Sequence, residues 1–123
     1  MPSEAPNLGW NELQFLSWSE FRHMAPSIVQ LEITRLGGMI GRFSEDPDFH
    51  NALVWARFEL NQFVAGLRQS EREPPDVALA AHLRVAIINI AAMPEHLDVQ
   101  TKETCKYVLD RLNYLHARIF LTY

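Results

Sequence analysis

The chain has 123 residues, 48% of them hydrophobic and 21% charged, which is enough to bury one core and too apolar for a disordered tail. A formal charge of −4 and a pI near 5.7 argue against a general nucleic-acid binder, which needs a basic surplus to neutralise phosphates. The single cysteine, Cys105, excludes an internal disulfide and fits a reducing, cytoplasmic setting. No basic-then-apolar leader opens the chain, and no run of about 18 apolar residues suits a membrane span.

Residues 1–8 carry Pro2 and Pro6 and read as a loose lead-in, leaving 9–123 as a single helical domain. "NELQFLSW" (11–18) predicts a short extra helical segment with Asn11 as its cap. Ser17 stands three before Glu20, the spacing of a capping box, so a first long helix is expected to start there. Pro26 removes a backbone donor and predicts a kink or a restart. Val29, Ile33, Leu36, Ile40 and Phe43 then recur at four, three, four, three, which makes one stripe.

"SEDP" (44–47) ends that element and begins the next. Asp46 can cap, Pro47 suits the first helical position, and Asp48 favours the positive end of the helix dipole. Phe49, Leu53, Ala56, Leu60, Phe63 and Leu67 keep the rhythm until "REPPD" (72–76) breaks it. The third stripe is Leu79, Leu83, Ala86, Ile90 and Met93, closed by Pro94. That helix is apolar nearly all round, which predicts either a central position or cover by another chain, as in a homodimer. The fourth opens near Asp98 or Thr101 and is lined by Cys105, Val108, Leu112, Leu115 and Ile119. Short connections between long helices predict an all-α, antiparallel four-helix bundle.

Three groups of residues suggest chemistry or binding. Arg111 and His116 resemble the R-x4-H motif of HEPN domains, four-helix proteins that often cleave RNA. That resemblance implies an imidazole acid or base beside a phosphate-steadying guanidinium. Against it, residue 112 is leucine where the family usually has a polar residue, and only seven residues follow His116. Glu20 and His23, at i and i+3, could share a metal with His82, His116 or Glu59, although a di-iron bundle shows that spacing twice and it occurs once here. "LGGMIG" (36–41) lacks the lysine and the preceding strand of a phosphate loop, so close packing accounts for its glycines better. The reading therefore expects no metal, no cofactor and no catalytic residue.

What remains is surface. Trp55 stands about 100° from the second helix's core line, on a flank with Asp48, Glu59 and Gln62. An aromatic among carboxylates and amides either binds protein, rather than membrane or nucleic acid, or is covered by the apolar N-terminal segment folding back over Trp55. With the acidic turn before it, the expected contact set is Glu45, Asp46, Asp48, Trp55, Glu59 and Gln62.

The run "RFSEDPDFHNALVWARFELNQFVAGL", followed by "LRVAIINIAAMPEHLDVQTKETCKYVLDRLNYL", resembles the small helical immunity proteins of type VI secretion systems. The nearest in style are those that neutralise NAD(P)-glycohydrolase effectors. The shared pattern is a Pro-led helix, an apolar third helix ending in Ile-Ala, and an acidic turn before a Leu-Tyr final helix. It spans about residues 29–117. The extra N-terminal segment and the longer last helix depart from it. The resemblance implies a stoichiometric inhibitor, antitoxin-like and without catalytic residues, that holds a cognate basic toxin by shape and charge.

Overall fold

The computed structural model describes residues 17–69 and 77–122. Four helices make up that part of the chain: α1 (Trp18–Arg42), α2 (Pro47–Gln69), α3 (Val77–Ala91) and α4 (Val99–Thr122). The lead-in, the short segment at 11–18 up to residue 16, and the break at 72–76 lie outside the described residues.

Each start has a chemical cause. Ser17 accepts from the Glu20 amide at 3.2 Å, and the Glu20 carboxylate accepts from the Ser17 amide at 3.1 Å, which completes the expected capping box. Asp46 accepts from the Phe49 amide at 3.4 Å, and Pro47 is the first helical residue of α2. Asp98 accepts from both the amide (3.2 Å) and the hydroxyl (2.6 Å) of Thr101, so α4 opens at Val99. Pro26 does not restart the chain. It lies buried within one continuous α1, where the packed apolar face outweighs the missing backbone donor.

The stripes face inward as their spacing requires. Every residue of the α2 stripe is buried, as are Cys105, Val108, Leu112, Leu115 and Ile119 on α4. The buried face of α1 is wider than its stripe, taking in Phe21, Ala25, Ile28, Glu32 and Met39 as well. Full burial of a large apolar side chain contributes about 1.5–3 kcal/mol, so these seams dominate the fold's stabilisation.

Long-range contacts establish the antiparallel order. His50, at the start of α2, donates from Nδ1 to the Ile40 carbonyl near the end of α1 at 3.2 Å. Phe43 and Phe49 meet edge to face with centroids 5.1 Å apart, fastening the same corner. Gly66, late in α2, lies against Leu79, early in α3, so closely that an added Cβ would collide with the leucine side chain. At the other end of the bundle, Nε2 of His96 in the α3–α4 connection lies 2.7 Å from the Asp46 carboxylate in the α1–α2 turn. The α3 helix ends at Ala91, so Met93 packs half-buried from the following turn rather than from the helix. Nor is α3 enclosed on all sides. Ile88 is largely exposed on its outer face.

The α1–α4 seam differs from the rest. The close backbone approaches join consecutive helices, whereas α1 and α4 reach each other through long side chains. Arg35 lies over Tyr107 near one end, and Arg118 over Phe21 near the other, at 4.7 and 5.1 Å from the ring centroids.

Candidate functional site

The outer face of α2 carries the most exposed aromatic surface described. Trp55 is 52% exposed and Phe58 49% exposed. The two rings stack on each other, with centroids 5.7 Å apart and planes 28° from parallel. Three residues apart on a helix, they form one ledge, and each limits the other's rotamers. Asn51 and Gln62, both exposed, stand four before Trp55 and four after Phe58 on the same face.

The expected acidic contacts divide into two groups. Glu45 and Asp48 are exposed. Asp46 and Glu59 are already engaged within the chain, Asp46 with His96 and Glu59 with Nδ1 of His82 at 2.7 Å. The Glu59 side chain is only 12% exposed, so it fastens α2 to α3 more than it faces outward. The six residues are therefore not equivalent, and the open part of the surface is Trp55 and Gln62, with Phe58 added, bordered by Glu45 and Asp48.

Arg111 and His116 lie on different sides of α4. Five residues along a helix turn through about 140°, which separates the two side chains. Arg111 donates to the Tyr107 hydroxyl one turn back on the same helix, with its guanidinium carbon 4.4 Å from that ring's centroid, and its charge acts on Glu32 of α1. His116 faces α3. Partial burial, together with the positive charge of Arg84, holds its pKa below the ordinary histidine value and favours neutral imidazole.

At the end of the bundle where α1 starts and α2 finishes, a cavity of about 700 Å³ is lined in part by Glu20, His23 and Arg68. Glu20 serves the α1 cap, and its hydrogen bonds to Ser17 lower its pKa. Among the described residues no group of three or more His, Cys, Asp or Glu side chains comes together to hold a metal ion. Cys105 is fully buried, and desolvation raises its thiol pKa, which suits a packing role.

Sequence patterning did not single out the polar cluster of the α1–α4 seam. Glu32 is buried to 1% exposure. Nε of Arg35 lies 3.1 Å from its Oε1, close enough for an ion pair but not aligned to donate into that oxygen. Desolvation raises the Glu32 pKa, against the opposing pull of Arg35 and Arg111. A signal was present, since Glu32 stands three after Val29 and four before Leu36 and so falls on the apolar stripe itself. Its partners on α4 became apparent only once the helices were packed.

No family model matches the chain, and no curated protein or solved structure matches it either. Among the described residues no helix is long and apolar enough to cross a membrane. The fold class and the geometry above are thus the basis for a functional reading.

Proposed function

We propose that this chain is a protein-binding module, an immunity-type inhibitor that captures a basic, secreted bacterial toxin on the outer face of α2. The observation that carries the reading is the stacked, half-exposed Trp55–Phe58 pair. Two adjoining aromatics in water are costly to leave uncovered, and aromatic side chains are frequent energetic centres of protein interfaces. The occupant is argued from charge. The chain is acidic overall, and exposed Glu45 and Asp48 flank the approach to α2, so a basic surface would be steered onto it and would place cations over the ring faces. The likeness in pattern to type VI secretion immunity proteins points the same way.

The test is to express the chain with the toxin encoded beside its gene. Cells should survive, and the purified pair should form a stoichiometric complex. Trp55→Ala should weaken that complex by about 2 kcal/mol while leaving the melting temperature unchanged, because the indole is already half in solvent. A toxin that stays active in the presence of excess chain would sink the class of function. A toxin that binds the variant undiminished would instead move the interface off α2.

A further inference from the structure

The cavity at the end of the bundle where α1 starts and α2 finishes, about 700 Å³ in volume, is large enough for a small molecule. Its described lining carries more cationic than anionic groups. Arg22 and His23 follow Ser19 at three and four residues, on one face of α1, and Arg68 stands in the last turn of α2. Among the described residues no carboxylate pairs with any of the three. The carboxylate in the described lining, Glu20, is turned to the α1 cap, where its Oε1 accepts from the Ser17 amide at 3.1 Å and the Ser17 hydroxyl at 2.9 Å. The helix dipoles offset each other here, since α1 presents its positive end and α2 its negative end, so the side chains set the local charge. Arg22 is half-buried, which restrains its stem and lowers the cost of ordering it on a ligand. Met24, 40% exposed, gives the wall an apolar part beside Leu67.

We propose that this cavity binds a small organic phosphate, a phosphate monoester on an apolar body, with Arg22 and Arg68 on the head group and Met24 against the body. Guanidinium forks match phosphate oxygens in pairs, and a dianion balances two cations where a carboxylate would leave one over. The His23 imidazole, exposed at the same wall, adds a third donor. Glu20 opposes the anion, but it is exposed, screened by solvent and already shared with Ser17. The site uses no residue of the Trp55–Phe58 ledge and does not depend on the function assigned to that ledge.

The experiment titrates the isotope-labelled full chain near pH 7.5 at constant ionic strength, following the arginine Nε–H signals by NMR. The probe is phenyl phosphate, with benzoate and inorganic phosphate as parallel arms. Phenyl phosphate should shift the Arg22 and Arg68 signals saturably. Benzoate, which has the body but a single charge, and inorganic phosphate, which has the charge but no body, should each bind several-fold more weakly. Arg68→Gln and Arg22→Gln should each weaken phenyl phosphate binding by about tenfold. Neither guanidinium is paired with a described carboxylate, so the melting temperature of both variants should stay at the parent's value. Arg84→Gln, which removes the same charge from an exposed position on α3, should leave the affinity unchanged and so separates this site from the net charge of the chain. Shifts that do not saturate, equal affinity for benzoate or for inorganic phosphate, or a loss in Arg84→Gln as large as in Arg68→Gln would each overturn the proposal.

Discussion

A carboxylate with 1% of its surface exposed has lost most of its hydration, and Glu32 recovers only part of that loss from its two arginines. Its pKa is therefore raised in the folded protein. A group of that kind favours the fold when protonated, and its contribution is lost as pH rises through the folded pKa. Glu32→Gln should thus stabilise the chain at pH 7 by about 1 kcal/mol, since both arginines keep contact with Tyr107. Denaturant unfolding would show the gap between variant and parent narrowing as pH falls through the raised folded value toward 4.5, the ordinary value for the acid, and levelling off below it. Two glycines provide a second contrast at this scale. Nothing lies within 4 Å of a Cβ added at Gly38, so Gly38→Ala should stabilise α1 by about 0.5–1 kcal/mol. At Gly66 the same methyl runs into buried Leu79, and Gly66→Ala should cost about 1–2 kcal/mol net, read from the same unfolding curves.

At the scale of the element, helix starts were the most legible part of the chain. A start is written locally, by an oxygen-bearing side chain two or three residues ahead of an unsatisfied amide, and Ser17, Asp46 and Asp98 all act in this way. The interiors were legible because a four-three spacing can bury only one face of a helix. Ends and breaks were less so. Pro26 suggested a kink or a restart, yet tertiary packing carries α1 through it, and Pro94 marked a point three residues beyond the last helical residue of α3. Capping predicts its own pH signature. The bonds from Thr101 lower the Asp98 pKa, so the cap stabilises α4 above about pH 3.8 and fades as pH falls through the folded value. Asp98→Asn should keep the cap, because an amide oxygen accepts from the same amide, while removing that acid-dependent loss. Stability of the variant relative to the parent, measured at pH 7 and at pH 3, decides it. A difference that stays constant between the two would remove the role assigned to the charge.

At the scale of the whole molecule, the candidate sites were less legible than the bundle that holds them, and the reason is physical. A stripe depends on neighbours within a turn or two, whereas the Glu59–His82 and Asp46–His96 pairs and the Arg35–Tyr107–Arg111 cluster join residues from separate helices or loops. Spacing along one helix identified Trp55 as a surface residue but could not show that Glu59 and Asp46 were already engaged. The assembled molecule also combines acid responses of opposite sign. His116, packed toward Arg84, has a lowered pKa, so it supports the fold above its ordinary value of 6.5 and withdraws that support as pH falls toward the folded pKa. Glu20 and Asp98 withdraw theirs at lower pH, below their ordinary values of 4.5 and 3.8, while Glu32 gains earlier, as pH falls toward 4.5, and so offsets part of the histidine's loss. The parent's stability in mild acid therefore follows the balance of His116's loss against Glu32's gain, before its caps are affected. His116→Gln removes the earliest of these contributions, so its unfolding midpoint should fall less than the parent's between pH 7.5 and pH 5. Combining it with Glu32→Gln should leave less stability gained between pH 7.5 and pH 4.5 than in His116→Gln alone, because Glu32 no longer gains as pH falls toward 4.5. Parallel midpoints for parent and His116→Gln across the first interval would mean that burial against α3 does not hold the imidazole neutral.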